Sequence, residues 1–230
     1  AQGVVKCFIK EEPLPITEDR EQPVKAARCI NSIDPLRNYI MSMRHGRLEE
    51  YIYCTVACAK GLAPKDVTRR YFAIYRPGDT IFSTDCSGFD RSVSPELREI
   101  LVDALAEVES NDGRLYVFPL HRLNYWTYID SGSINSGERF TSLFAVLTIT
   151  GIIELYRRNH PELDVRYLNS GDDNLIFTSQ PEIVIPGICE YFRKAGLRIT
   201  IEGTTNNPSE IVFLKSYYVK RSDSLPVCKT

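Results

Sequence analysis

An α+β fold, with an antiparallel sheet backed by helices, is what the sequence predicts, and three observations point to it. Runs of strand length alternate with helical stretches across residues 77–230. Two of those runs are separated by only Asn-Ser-Gly-Asp-Asp (residues 169–173), which reads as a hairpin. The helical stretches carry apolar residues at the i, i+3, i+4 spacing of helices that pack one face on a sheet. At 230 residues and 43% hydrophobic, the chain can bury one sizeable core and lies near the upper limit for a single domain, so one large or two small domains fit. No repeat or low-complexity linker interrupts it, which favours a continuous body.

Taken in order, residues 4–10 read as a strand, 11–23 as a polar, proline-bearing connection, and 24–30 as a second short strand. Asp34-Pro35 has the form of an N-cap with proline at the first helical position and opens a helix toward Lys60; a shorter helix follows Pro64. Residues 80–84 form a strand running into Asp85. Ser94-Pro95 starts a helix whose apolar face is Leu97, Ile100, Leu101, Ala104, Leu105 and Val108. The helix at residues 141–157 is apolar nearly all round and therefore buried. Strands at residues 165–168 and 174–177 form the hairpin, whose tip carries two acids. A helix ending at Gly196, a strand at 197–201 and a hairpin near 211–219 complete the chain.

Bulk properties exclude several classes. The seven cysteines are odd in number and hold no C-x-x-C pair, so neither a disulfide framework nor a zinc site is indicated, and a reducing setting fits best. The apolar stretch 143–155 is broken by Thr148, Thr150, Gly151 and Glu154, so no membrane span is expected, and no signal-peptide pattern is visible. The net charge of -2 hides an asymmetry: residues 1–76 carry 13 Lys/Arg against 9 Asp/Glu, and residues 77–230 carry 15 against 21. A basic front part suits phosphates, and an acidic remainder suits metal ions.

Two acidic clusters stand at strand ends, Asp85 with Asp90 in DCSGFD and Asp172 with Asp173 in SGDDN. Clustered carboxylates repel one another unless a cation neutralises them, and an oxygen-seeking ion such as Mg²⁺ is the natural occupant. Two such ions about 3.5–4 Å apart can activate an attacking hydroxyl and stabilise a leaving oxygen in phosphoryl transfer.

The ordered set D-x-x-x-x-D after a strand, S-G-x-x-x-T opening a helix and G-D-D in a hairpin resembles the positive-strand-type viral RNA-dependent RNA polymerases. Lys10-Glu11-Glu12-Pro13 and Lys25-Ala26-Ala27-Arg28 resemble that family's basic fingers motif, and Phe213-Leu214-Lys215 its primer-grip hairpin, so the likeness runs from about Lys6 to about Tyr218. The resemblance implies a polymerase palm with an RRM-like core, partial fingers over 1–76, palm over 77–220, a tail at 221–230, and no complete thumb.

It further implies template-directed nucleotidyl transfer by two Mg²⁺ or Mn²⁺ ions bound by Asp85 and Asp172, with Asp173 a secondary ligand and the Cys86 backbone carbonyl a further one. Asp90 would face the ribose, Thr141 would bond toward Asp90, and Ser136 with Gly137 would hold the nascent pair. Lys10 and Arg28 would grip the triphosphate, and Lys215 would sit near the primer's 3′ end. The implied partners are an RNA template and primer, nucleoside triphosphates and other viral replication proteins, in the host cytoplasm or the virion.

Two positions depart from the family pattern. Ala145 stands where the family has a ribose-sensing Asn, and residues 202–205, read as the loop after a strand, are Glu-Gly-Thr-Thr where a proton-donating Lys is usual. Lys194 and Arg198 are nearby but out of register. Two other readings stand beside the polymerase: a reverse-transcriptase-like enzyme, against which Asp90 and Gly171 speak, and a non-catalytic RNA-binding palm fragment. Individually, Asp90, Thr141 and the Gly171 turn also suit local capping and turn roles, and Lys10, Arg28 and Lys215 suit a solvated surface. The histidines carry no metal spacing, and Tyr125, Trp126 and Tyr128 suit strand packing better than base stacking.

Overall fold

A computed structural model describes residues 6–9, 29–32, 35–55, 57–86, 88–111, 141–219 and 227–229. Strand β1 (Lys6–Ile9) pairs antiparallel with β2 (Cys29–Ser32), each overlapping its expected stretch. Helix α1 (Pro35–Thr55) stops short of Lys60. The backbone beyond it leaves the helix to bond elsewhere: Asn169 N–H donates to Ala57 O at 2.8 Å and Ala59 N–H to Asn169 O at 2.6 Å.

Helix α2 (Pro64–Ile74) opens on its proline, whose missing N–H costs nothing at that position. Strand β3 (Thr80–Cys86) follows, and its last residues carry Asp85 inside the strand rather than beyond it. A one-turn helix α3 (Phe89–Ser92) and helix α4 (Pro95–Asn111) come next. The Ser94 hydroxyl caps α4 by accepting the Leu97 N–H at 3.2 Å. The apolar face of α4 is rotated from the expected one: Leu101 is buried at 6% and Arg98 at 4%, whereas Ile100 is 64% exposed and Ala104 also faces solvent. The buried stripe follows Leu97, Arg98 and Leu101, which leaves Ile100 on the outer flank.

Helix α5 (Thr141–Asn159) is buried over most of its length, as its all-round apolar sequence requires, with Leu155 outward. Strands β4 (Val165–Ser170) and β5 (Asp173–Thr178) form the acidic hairpin, followed by α6 (Pro181–Lys194), β6 (Ile199–Thr205), and a sheet of β7 (Val212–Phe213), β8 (Ser216–Val219) and β9 (Val227–Lys229). The expected strand at 197–201 therefore lies later, and residues 202–205 are strand rather than loop: Gly203, Thr204 and Thr205 pair with Ser83, Phe82 and Ile81. Gly187 on α6 has no side chain where Tyr156 of α5 presses in, which lets the two helices meet closely.

The main sheet runs β4-β5-β3-β6, antiparallel throughout, with helices entering between β3 and β4 and between β5 and β6. That is the β-α-β-β-α-β arrangement of an RRM-like core. Strand alternation gives each face its own core. Phe82, Tyr167 and Ile176 pack under α4, α5 and α6 with Phe144, Ile149, Tyr156, Ile188 and Phe192. Ile81, Leu168, Leu175 and Phe177 pack on the other face with Val67 and Tyr71 of α2 and Phe213 and Tyr218 of the β7–β8 hairpin. Tyr71 is central there, stacked on Tyr218 at 4.9 Å, edge-on to Phe177 at 5.4 Å, and donating its hydroxyl to Pro208 O at 2.9 Å. No described helix is long and apolar enough to cross a membrane.

Candidate active site

The β4–β5 turn has two residues, closed by the Ser170–Asp173 pair. Gly171 takes φ +85°, a left-handed value that a two-residue hairpin with glycine first in the turn requires. The turn thus puts Asp172 at the tip and Asp173 at the head of β5. Beside it, β3 pairs with β5 up to Thr84↔Asn174, so the next step along the ladder sets Asp85 beside Asp173. Directly opposite residues on neighbouring strands have Cβ atoms roughly 4.5–5.5 Å apart. Register alone therefore gathers three acids contributed by two distant stretches of chain.

The electrostatics agree with this placement. Asp173 keeps contact with solvent yet loses part of its hydration. That loss, with repulsion from Asp172, Asp85 and Glu202, raises its pKa from 3.8 to about 6, against the opposing pull of Lys60. The Cys86 thiol points the other way, into the helix-backed core, and burial with the charges of Asp85 and Asp172 pushes it up to about 11.

Two neighbours of the acids were not singled out by the sequence. Glu202 sits where β6 slips against β3: Ser83 pairs with Gly203 and Thr84 with Ile201, which leaves Glu202 as the unpaired residue of a β-bulge. Read as part of a loop, it carried no positional meaning. Lys60 follows Ala59, whose backbone is tied to Asn169 near the end of β4, and the Lys60 N–H itself is held by Cys58 Sγ at 3.3 Å. Its position depends on this long-range bridge, so no local pattern could mark it.

Beyond Asp85 the chain turns through Gly88, at φ +63°, into α3, where Phe89 is anchored in the core and Asp90 is half-buried at the next position. Thr141 opens α5, also half-buried. Ala145 lies one turn on in the helix-backed core, and its methyl offers no hydrogen bond. Lys215 is exposed in the two-residue β7–β8 turn. Both Leu214 and Lys215 have left-handed φ, 53° and 59°, a costly pair for residues with side chains. Lys10, Arg28, Ser136 and Gly137 lie outside the described residues, as do Tyr125, Trp126 and Tyr128.

At the other end of the sheet, Arg166 grips Asp79 with both arms, Nη2 to Oδ1 at 2.6 Å and Nη1 to Oδ2 at 2.9 Å. Asp164 joins through Arg166 Nη2 at 2.8 Å, and Ile74 O accepts from Arg166 Nη1.

No curated protein matches the sequence. The solved structure of the 3Dpol RNA-dependent RNA polymerase of a sicinivirus is similar, with a TM-score of 0.66 at 18% identity over 87% of this chain and 48% of that one. This chain thus spans about half the length of that structure, and the likeness shows a shared fold, the polymerase palm. The family described as viral RNA-dependent RNA polymerase matches residues 53–227, well over half of the sequence and inclusive of both acidic motifs. With its palm fold, its ordered motifs and that match, the chain belongs to the viral RNA-dependent RNA polymerases.

Proposed function

We propose that this chain carries the catalytic palm, over 77–220, with part of the fingers, over 1–76, of an enzyme that copies RNA from nucleoside triphosphates. The observation that carries the reading is the register that brings Asp85 beside Asp173 with Asp172 at the turn. Carboxylates gathered so closely that two of them raise the pKa of Asp173 offer the fold nothing structurally, so their convergence points to a cationic ligand.

Mg²⁺ or Mn²⁺, two ions, fits this donor set. Its side-chain donors are carboxylate oxygens, the hard ligands through which such an ion is bound together with substrate phosphates. Asp85 and Asp172 would hold it, with Asp173 and the Cys86 carbonyl in support, and when bound it would neutralise charge on the attacking and leaving oxygens.

The remaining roles belong to the chain itself. Asp90 and Thr141 face the sugar of the incoming nucleotide; Ser136 and Gly137 hold the template or nascent pair; Lys10 and Arg28 take the triphosphate, Arg by its planar fork and Lys as a point charge. Lys215 approaches the primer's 3′ end. Other viral replication proteins are partners in a host-cytoplasmic complex. The test is template-directed primer extension with Mg²⁺: Asp172→Ala should lower it at least about a thousand-fold, the worth of several kcal/mol of transition-state stabilisation. Unchanged synthesis would refute the reading. Ala145 motivates a second, reverse-transcriptase-like reading, and the ratio of ribonucleotide to deoxyribonucleotide incorporation separates the two.

A further inference from the structure

Directly behind the acidic tip, three polar side chains stand in one row across the sheet: Thr84 of β3 is paired with Asn174 of β5, and Asn174 with Asn169 of β4. By strand alternation they share the face of Phe82, Ile176 and Tyr167, under the helices, and they are 2%, 2% and 0% exposed. One step deeper the same face is wholly apolar, so leucine or valine would suit these positions if packing were their only task.

Their hydrogen bonds are aimed at the turn. Asn169 Oδ1 accepts the Gly171 N–H at 2.8 Å, and Asn174 Nδ2 donates to the Asp172 carbonyl at 2.9 Å. The two amides therefore hold one backbone group from each of the turn's two residues. Asn169 is itself fixed, because its own N–H and C=O are bound by Ala57 and Ala59. Among the described residues, Asn169 Nδ2, Asn174 Oδ1 and Thr84 Oγ1 have no hydrogen-bond partner. Buried polar atoms left without partners destabilise a fold, so the row persists at a cost.

Building on the two-metal reading above, we propose that Asn169 and Asn174 are positioning residues that hold the Gly171–Asp172 turn so that Asp172 stays turned toward Asp85. Without them only Lys60 and the Ser170–Asp173 pairing oppose the repulsion among Asp85, Asp172 and Asp173, and the turn loosens. Groups that orient a metal ligand typically account for 10–100-fold in metal affinity.

The experiment is Mn²⁺ titration of the full chain, followed by water-proton relaxation, beside thermal melting of each variant. The wild type should bind Mn²⁺ and Asp172→Ala should lose that binding. Asn169→Leu and Asn174→Leu, which keep the branched outline of the side chain but are apolar, should weaken Mn²⁺ about 10-fold. Asn169→Ser, which keeps a weaker acceptor for the Gly171 N–H, should fall between Asn169→Leu and wild type. If the leucine variants melt lower, Asn169→Ser and Asn174→Ser carry the comparison.

Mn²⁺ affinity unchanged in the Asn variants, with Asp172→Ala still losing it, overturns this inference and leaves the metal site standing. A wild-type chain that binds no Mn²⁺, or binds it as Asp172→Ala does, overturns the metal reading and this inference together.

Discussion

The two ends of the four-stranded sheet treat charge in opposite ways. At one end Arg166 is flanked by Asp79 and Asp164; burial opposes its charge, but the hydrogen bonds and attraction of the two acids more than offset this and keep it protonated. At the other, Asp85, Asp172, Asp173 and Glu202 share one neighbourhood, with Lys60 as the opposing charge that acts on Asp173. The same strands serve both ends: β4 carries Arg166 at its start and leads to the Gly171 turn, and β3 begins just after Asp79 and ends with Asp85 and Cys86. The difference teaches that one end pairs its buried charge within the chain, whereas the other gathers like charges whose repulsion raises the Asp173 pKa.

The largest expected effect tests the paired end. Asp79→Ala removes the bidentate partner of Arg166 and leaves it with Asp164 and Ile74 O, and unfolding in denaturant should show a loss of about 2–3 kcal/mol. Replacing the pair together, Asp79→Leu with Arg166→Met, should recover part of that loss, because the apolar pair also removes the cost of desolvating the guanidinium.

The acidic end should respond in the opposite direction. Folding raises the Asp173 pKa from 3.8 to about 6, so the folded chain holds that proton more tightly than the unfolded one. The ionised carboxylate therefore costs stability in metal-free protein; the cost is absent below about pH 4, grows between about 4 and 6, and is complete above. Asp173→Asn should raise the melting temperature at pH 7–8, and solvent screening holds the gain to about 1 kcal/mol, roughly 2–4 °C. The gain should vanish near pH 4. A destabilised Asp173→Asn protein at pH 8 would break the comparison.

Two smaller effects sharpen it. Glu202→Gln removes a lesser contributor, so the Asp173 titration followed by NMR should move down, by less than Asp172→Asn moves it. Lys215→Gly, at φ 59°, should stabilise the chain by up to about 1 kcal/mol by relieving left-handed strain, while weakening primer extension.

Much of this was legible in the residues. The motif order singled out Asp85, Asp172 and Asp173, which the strand register gathers, and each lies beside a strong local signal: a strand rich in β-branched residues before Asp85, and a glycine turn before Asp172. The antiparallel sheet backed by helices followed from the alternation of strands and helices, and the RRM-like core from the family resemblance. What stayed hidden depended on contacts distant in sequence. Strand β6 is largely solvent-exposed and polar, so residues 202–205 show no apolar alternation, and their pairing with β3 is set by tertiary contact. Lys60 reaches the site through the bridge between Cys58 and Asn169, which joins positions more than a hundred residues apart. Asn169 and Asn174 looked like ordinary turn-flanking residues, and only burial separates a solvated Asn from one that clamps a turn. The short helix α3 holds a single turn, below the length at which periodicity registers.

The two-residue turn also limits how this stretch of the gene can vary. Side chains alternate across the sheet with a period of two, so one added codon at the head of β5 would send Leu175 and Phe177 to the face of Ile176, and Asn174 away from the Asp172 carbonyl. Substitutions here can be graded in effect. Single-codon insertions and deletions between Ser170 and Leu175 should be close to all-or-none, and a library of in-frame insertions would show this segment as a gap in the viable set.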